Sequence, residues 1–500
     1  MYNGMDIIQD GEYIMNITEL VVFIIYLVFM VGIGIYFFLR SKGANEKDYF
    51  LGGRQMGAWV SALSAGASDM SAWVLMGLPA SVYAAGMGQT WIAIGLAIGY
   101  ALSWIFEAPR LRRFSIEAND SITIPQYLTN RFLSKSRALQ IICAVIFIFA
   151  YTIYAASSIK ACGTLFNTVI GMNATVAMYL AAAIIIGYTF LGGFSAVCWT
   201  DFFQGLLMLA ALLVAPIFAL TMINGSTAQT VSELPENYWD FARDWREIAS
   251  GLGWGLGYFG MPHIIIRFMS VRSQKELRKS SVIGISWTLI ILTMSVAAGA
   301  VGRVMSSRGI IEITDSATVF IQMTRSIFPA VISGILLSAI LAASMSTADS
   351  QLLASASAFA SDVYKPVFRK DASDKEMLWA GRVVVIIIAV IALIIASNPS
   401  SGTIMGLVEN AWGVFGAAFG PTILLSLFWR RLTFGGAVAG IVTGAVVDIL
   451  WLALLKGTGL YEIIPGFAAG LIAALVVSMI TPAPGKAVEA LFDRATRSQE

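Results

Sequence analysis

Ser61-Ala-Leu-Ser-Ala-Gly-Ala-Ser-Asp-Met-Ser-Ala-Trp73 is the stretch on which the reading of this chain turns. It lies in residues 59–84, a run apolar enough to cross a bilayer, and puts Gly66, Ser68, Asp69 and Ser71 near its middle. A carboxylate at that depth costs about 3 kcal/mol on insertion scales, so Asp69 is a candidate for function. A second run reads Gly251-Leu-Gly-Trp-Gly-Leu-Gly-Tyr-Phe-Gly-Met-Pro-His263, with five glycines and a proline. Gly and Pro weaken helices, and freed backbone inside a membrane is tolerated only where it lines a cavity or is covered by protein. Such breaks leave carbonyls to ligate a cation and half-helix N-termini to face an anion. The two runs lie five spans apart. Interrupted helices in corresponding positions of two halves point to the inverted-repeat build of secondary transporters.

The rest of the chain agrees with a membrane setting. Its 500 residues are 58% hydrophobic and 12% charged, with mean hydropathy +0.77. A soluble domain carries about 25% charged residues. A soluble enzyme and a nucleic-acid binder are excluded on this ground, and runs of about 20 apolar residues exclude an outer-membrane barrel of short alternating strands. The net charge of +2 implies no general affinity for polyanions.

About thirteen spans can be marked: 17–39, 59–84, 90–108, 138–166, 174–192, 197–223, 250–268, 281–302, 330–362, 378–397, 404–428, 434–455 and 464–481. The first twenty residues carry Asp6, Asp10, Glu12 and Glu19 but no Lys or Arg, so the first span reads as a retained helix with its N-terminus outside. With that orientation 25 of the 32 basic residues fall in inner segments, Arg267 among them, and 6 in outer ones, as the positive-inside rule requires. Lys160, inside a span, is expected to reach a cavity or an internal acid. The C-terminus is then cytoplasmic. Outer residues 303–329 are expected to hold short helices. The cysteines, Cys143, Cys162 and Cys198, have no metal-ligand spacing, and no phosphate loop is present.

The expected organisation is all-α and polytopic. Residues 1–58 form an outer segment, an extra helix and an inner loop; 59–249 form a first five-helix repeat with its outer loop. Residues 250–433 form the second repeat, and 434–500 two further helices and an inner tail. In the ninth span Ala343, Ser346, Thr347 and Ser350 follow i, i+3, i+4, i+7 and share one helical face, with Asp349 beside it. Carbonyls of an unwound helix with two hydroxyls from a facing helix would make a neutral five-oxygen cage suited to Na+, a hard cation. Asp201 opens the sixth span, and the lone histidine, His263, is read as hydrogen-bonded structure. Gly95, Gly99, Gly413, Gly416 and Gly420 are read as sites of close helix packing.

Three motifs, Ser64-Ala-Gly-Ala-Ser-Asp-Met-Ser71, Trp254 to His263 as quoted, and Ser338-Ala-Ile-Leu-Ala-Ala-Ser-Met-Ser-Thr347, resemble the sodium/solute symporter family, and within it the bacterial proline-transporting branch. The likeness extends to Leu51-Gly-Gly-Arg54, Trp199-Thr-Asp201 and Tyr461-Glu-Ile-Ile-Pro-Gly466. One departure is Ala72, where that branch is expected to carry Gly.

The resemblance implies a LeuT-like core of ten helices and Na+-coupled uptake of L-proline across a bacterial cytoplasmic membrane. It implies Na+ ligation by the carbonyls of Ala67, Met70 and Ala343 and the hydroxyls of Ser346 and Thr347. It assigns Na+ coupling to Asp69, Ser71, Asp201 and Arg54, and solute binding to Tyr154, Trp254, Tyr258 and Pro262. Asp201, Ser346, Asp349 and Ser350 resemble the second Na+ site of some members. Na+ is the only metal implied, and no organic cofactor or catalytic residue is. The partners are the solute, the ion and the lipid bilayer. The rival readings are symport of another small solute, such as pantothenate or another carboxylate, and a membrane solute sensor. The short tail after Thr481 speaks against the sensor.

Overall fold

The computed structural model describes residues 16–40, 46–189, 193–223, 230, 232–242 and 244–497. Asp6, Asp10, Glu12, Lys42 and Arg243 lie outside the described residues, so the outer placement of the N-terminal segment finds no structure here. Apart from the Met56–Val271 bridge, the regular elements among the described residues are helical. In chain order the main helices are α1 (Ile17–Arg40), α2 (Ala58–Asp69), α3 (Gly77–Ala85), α4 (Thr90–Leu102), α5 (Ala138–Ile170) and α6 (Ala174–Thr189). Then come α7 (Phe194–Met222), α8 (Trp245–Gly253), α9 (Pro262–Ser270), α10 (Gln274–Ser307) and α11 (Ala330–Ser357). The last are α12 (Asp374–Ser397), α13 (Ile404–Phe428), α14 (Phe434–Leu454), α15 (Ile463–Ile480) and α16 (Lys486–Arg497).

Among the described residues ten helices are long and apolar enough to cross a membrane. The other three expected spans have a different form. The span expected at 174–192 gives the shorter α6 over its described part, residues 174–189, with 190–192 outside the described residues, and the two glycine- or serine-rich runs are broken, as α2/α3 and α8/α9. Each break has a local cause. The last helical bond of α2 is Met70 N–H to Gly66 O, 2.8 Å, after which Met70 turns to ψ 77° and Ser71 to extended backbone. The Ser71 hydroxyl accepts the Trp73 N–H and caps the tight turn Ala72–Val74 that leads to α3. After α8 the glycines wind residues 254–259 into 3₁₀ turns, Met261 is extended, and Pro262 opens α9 at the position where its missing N–H is harmless.

Packing brings the breaks together. α2 lies against α7, α9, α10 and α11, while α8 and its turns lie against α4 and α13. The α4–α8 contact explains two of the packing glycines. A Cβ on Gly95 would stand 2.1 Å from Gly251 O, and one on Gly99 2.2 Å from Gly255 O. Backbones that close exclude any side chain. α14 and α15 pair with each other and with α13. α1 is tied by Glu19, whose carboxylate accepts from Ser333 at 2.6 Å and pairs with Arg325 at 3.1 Å. Residues 303–329, expected to hold short helices, begin with the end of α10 and include the short helix Val319–Ile327.

Candidate ion and solute site

The end of α2 meets α11 through four of the five oxygens expected to hold Na+. The Ser346 hydroxyl is 2.7 Å from Ala67 O and 3.2 Å from Ala343 O, and the Thr347 hydroxyl is 3.5 Å from Ala67 O. Met70, the fifth, is the buried residue at which α2 stops. The sequence spacing put these hydroxyls on one face; the fold puts Ala67 opposite them.

Asp69 joins the two breaks. Its Oδ2 accepts from the Tyr258 hydroxyl at 2.5 Å, and its backbone carbonyl accepts from the Tyr154 hydroxyl at 3.1 Å and the Trp73 indole at 3.2 Å. Its Oδ1 is buried with no hydrogen-bond partner among the described residues. The carboxylate thus reaches across to the 254–259 turns, and α5 touches the same residue from a third side. The Tyr258 ring packs edge-on to Tyr100 and Trp412. Trp254, one turn earlier, is held at its carbonyl by the Trp412 indole, 2.8 Å, and lies 5.2 Å from the Tyr461 ring. Of the expected solute residues, Tyr154 and Tyr258 therefore meet at Asp69, Pro262 starts the helix below them, and Trp254 lies to one side. His263 donates its backbone N–H to Tyr151 Oη at 2.9 Å and has its Nδ1 3.2 Å from the same oxygen, while its Nε2 is buried without a hydrogen-bond partner among the described residues.

The residues of the second Na+ set lie around an arginine. Asp201 Oδ2 accepts from Arg267 at 3.0 Å and from the Ser64 hydroxyl at 2.7 Å; Arg267 also donates to Ser64 at 3.0 Å and to Ser350 at 2.6 Å. It also bonds the His263 carbonyl. Ser350 in turn lies 3.4 Å from Asp349 Oδ1. The positive charge among Asp201, Asp349 and Ser350 is thus a guanidinium. The sequence reading counts Arg267 with an inner segment at the end of span 250–268 and puts Asp201 at a helix start; in the structure both are buried, Arg267 inside α9 and Asp201 two turns into α7. The signal was available, because a helix restarted at Pro262 carries Arg267 in its second turn, still within the bundle. Lys160, expected to reach a cavity or an internal acid, donates its amine to Ser401 Oγ at 3.3 Å and to the Gly402 carbonyl just before α13, and forms no ion pair with an acid among the described residues.

Arg54 lies away from the breaks. With a left-handed backbone (φ 56°) it donates to Asp120 Oδ1 (2.9 Å), Ser115 Oγ (3.1 Å), Met269 O (2.7 Å) and Ser121 O (2.8 Å). Lys47 binds the same Asp120 carboxylate. Beside it Met56 and Val271 form a strand-like bridge, with Met56 N–H to Ser270 O and Arg272 N–H to Met56 O, both 3.1 Å. The start of α2 is thereby latched to the end of α9. Partial burial opposes ionisation of Asp120, but Lys47 and Arg54 outweigh it and hold the carboxyl below the usual range.

Two interrupted helices that face each other across a buried polar junction, framed by long apolar helices, are the build of a secondary active transporter. Residues 49–444 match the sodium:solute symporter family, and the chain belongs to that family. It is 42% identical over 462 residues to the high-affinity proline transporter PutP of Bacillus subtilis (strain 168), covering 91% of this chain and 97% of that one. It is 43% identical over 478 residues to a sodium/proline symporter of Staphylococcus aureus (strain USA300 / TCH1516), covering 93% of each. A solved Na+-coupled sialic acid symporter, in its substrate-bound outward-open state, superposes with TM-score 0.79 at 21% identity over 94% of this chain and 99% of that one. That likeness establishes the LeuT-like fold.

Proposed function

We propose that this protein couples inward Na+ flow to the uptake of L-proline by alternating access in a bacterial plasma membrane, with its N-terminus outside and its C-terminus in the cytoplasm. Proline and sodium enter this reading from the relatives' names, and the positive-inside distribution supports the orientation. One observation carries the mechanism: the Tyr258 hydroxyl on the Asp69 carboxylate, one residue from the α2 break.

Na+ bound by the carbonyls of Ala67, Met70 and Ala343 and the hydroxyls of Ser346 and Thr347 clamps α2 to α11. Because Asp69 lies between two of those carbonyls in sequence, the clamp sets its position, and through it Tyr258 and Tyr154. Proline is a zwitterion with an apolar ring. The aromatic faces of Tyr154, Tyr258 and Trp254 suit the ring, and the unpaired Asp69 oxygen suits the ammonium. The Arg54–Asp120 latch, together with the Met56–Val271 bridge, closes the cytoplasmic side and must open for release. Each charge carried inward gains about 2.3 kcal/mol per 100 mV. Arg267 already balances Asp201, which favours one Na+ per cycle; a second at Asp201, Ser346, Asp349 and Ser350 needs the guanidinium to leave. Ser71 caps the turn after the break and Asp201 anchors α7 to α2 and α9, so both act on coupling by position.

The test is radiolabelled L-proline uptake into proteoliposomes with and without an inward Na+ gradient, for the wild type and Asp69→Asn. Na+-dependent accumulation that collapses in the variant is expected. Uptake driven equally by a proton gradient alone would remove Na+, and no proline uptake while Na+ still stabilises the protein would remove proline.

A further inference from the structure

A second group of acids lies outside the central site, where α14 and α15 meet α13. Glu409 is on α13, Asp448 on α14, and Glu462 leads into α15, in the motif that begins at Tyr461. Asp448 is 0% exposed, and neither of its oxygens has a hydrogen-bond partner among the described residues. Glu462 is buried as well, and its Oε1 also lacks a partner. The two side chains converge on one bare stretch of backbone. A Cβ on Gly413 would stand 2.9 Å from Asp448 Oδ1 and 3.4 Å from Glu462 Cγ. Glu409 is one turn before Gly413 on the same face.

The donors nearby are engaged elsewhere. The Tyr461 hydroxyl donates to Glu409 O at 2.9 Å, the Trp451 indole to Leu460 O at 3.2 Å, and the Trp412 indole to Trp254 O. Of the bases on adjoining elements, Lys456 in the α14–α15 turn is exposed, and Arg246 on α8 pairs with Asp244 at 3.7 Å. Among the described residues no ion pair joins Glu409, Asp448 or Glu462 to a base. Two adjacent buried carboxylates cannot both stay charged and unpaired, because each loses its hydration and repels the other. Lys456 acts on Glu409 and Glu462 only from a distance, without an ion pair, and Asp448 has no hydrogen-bonding partner among the described residues to share its charge.

We propose that Asp448 and Glu462 form a cation site, separate from the Ala67–Ser346 cluster, that takes one proton or one Na+ between their carboxyl groups. Its occupancy bears on the broken helix. Tyr461, next to Glu462, lies against Trp254 and donates its N–H to Ser250 Oγ on α8 at 3.0 Å. The inference does not rest on proline as the solute.

The test uses the full chain in lipid nanodiscs, with thermal unfolding followed by tryptophan fluorescence from acid to alkaline pH, in Na+ or in choline. A Ser346→Ala/Thr347→Ala background removes the central hydroxyls, and each comparison is between proteins differing only at 448 or 462. In choline the parent should lose several degrees as pH rises and the pair gives up its proton; Asp448→Asn and, independently, Glu462→Gln should flatten that loss. If Na+ is the occupant, Na+ restores the parent at alkaline pH and not the variants; if the proton is, Na+ restores neither. Variants that keep the parent's pH profile and Na+ response overturn the proposal.

Discussion

Asp69 carries a buried carboxylate oxygen without a partner and another held by Tyr258, so small changes there should separate binding from coupling. A hydrogen bond to a charged group is worth about 1.5–3 kcal/mol, or roughly ten- to hundredfold. Tyr258→Phe should raise the half-saturating proline concentration by about that factor, with surface expression unchanged. Uptake kinetics at saturating Na+ check it, and an unchanged value would detach Tyr258 from the solute. Ser346→Ala removes a hydroxyl 2.7 Å from Ala67 O. It should raise the half-saturating Na+ concentration about tenfold while proline affinity at saturating Na+ changes little, a split that a general loss of stability would not produce. The Ser346–Thr347 stripe was legible because helical period alone fixes which hydroxyls share a face. Its partner, Ala67, was supplied by the family likeness.

At the scale of elements, the broken helices depend on the glycines that let their neighbours come close. A Cβ on Gly66 would lie 2.5 Å from the Trp287 ring, and one on Gly257 2.0 Å from Trp412 Nε1. Overpacking of this kind costs typically 1–3 kcal/mol. Gly66→Ala and Gly257→Ala should each lower the unfolding temperature by a few degrees and reduce uptake, whereas Gly32→Ala, with nothing within 4 Å, should do neither. Thermal unfolding of the three purified variants decides this. The breaks themselves were readable because their causes are local: a serine cap, a run of glycines, and a proline placed where a helix restarts. The restart at Pro262 also puts Arg267 in the second turn of a half-helix inside the bundle, where its charge is buried.

Over the whole molecule, the Arg54–Asp120 latch ties the start of α2 to the end of α9 through one carboxylate. Because the Asp120 carboxyl is held below its ordinary value, its contribution is complete at neutral pH and is lost only as pH falls through that lowered value. Mild acidification should therefore leave the latch closed, while Asp120→Asn at neutral pH should open it. Hydrogen–deuterium exchange over residues 52–58 and 268–272 reads this directly: faster exchange in the variant and little change on mild acidification are expected. Equal protection in variant and wild type would show that the Met56–Val271 bridge holds alone. Asp120 is half-exposed, so solvent screens its pairs and the effect belongs to the latch more than to global stability. The sequence by itself determined the membrane setting, the order of the helices, the places where two of them break and the hydroxyl face of α11, because hydropathy, helical period and backbone propensity act over a few neighbouring residues. Only the tertiary structure decided that Arg267 neutralises Asp201, that Arg54 reaches Asp120, and that Asp448 is left facing Glu462. Those partners come from different elements of the fold, and the charge balance of a buried group is set by whatever the fold brings within hydrogen-bonding distance.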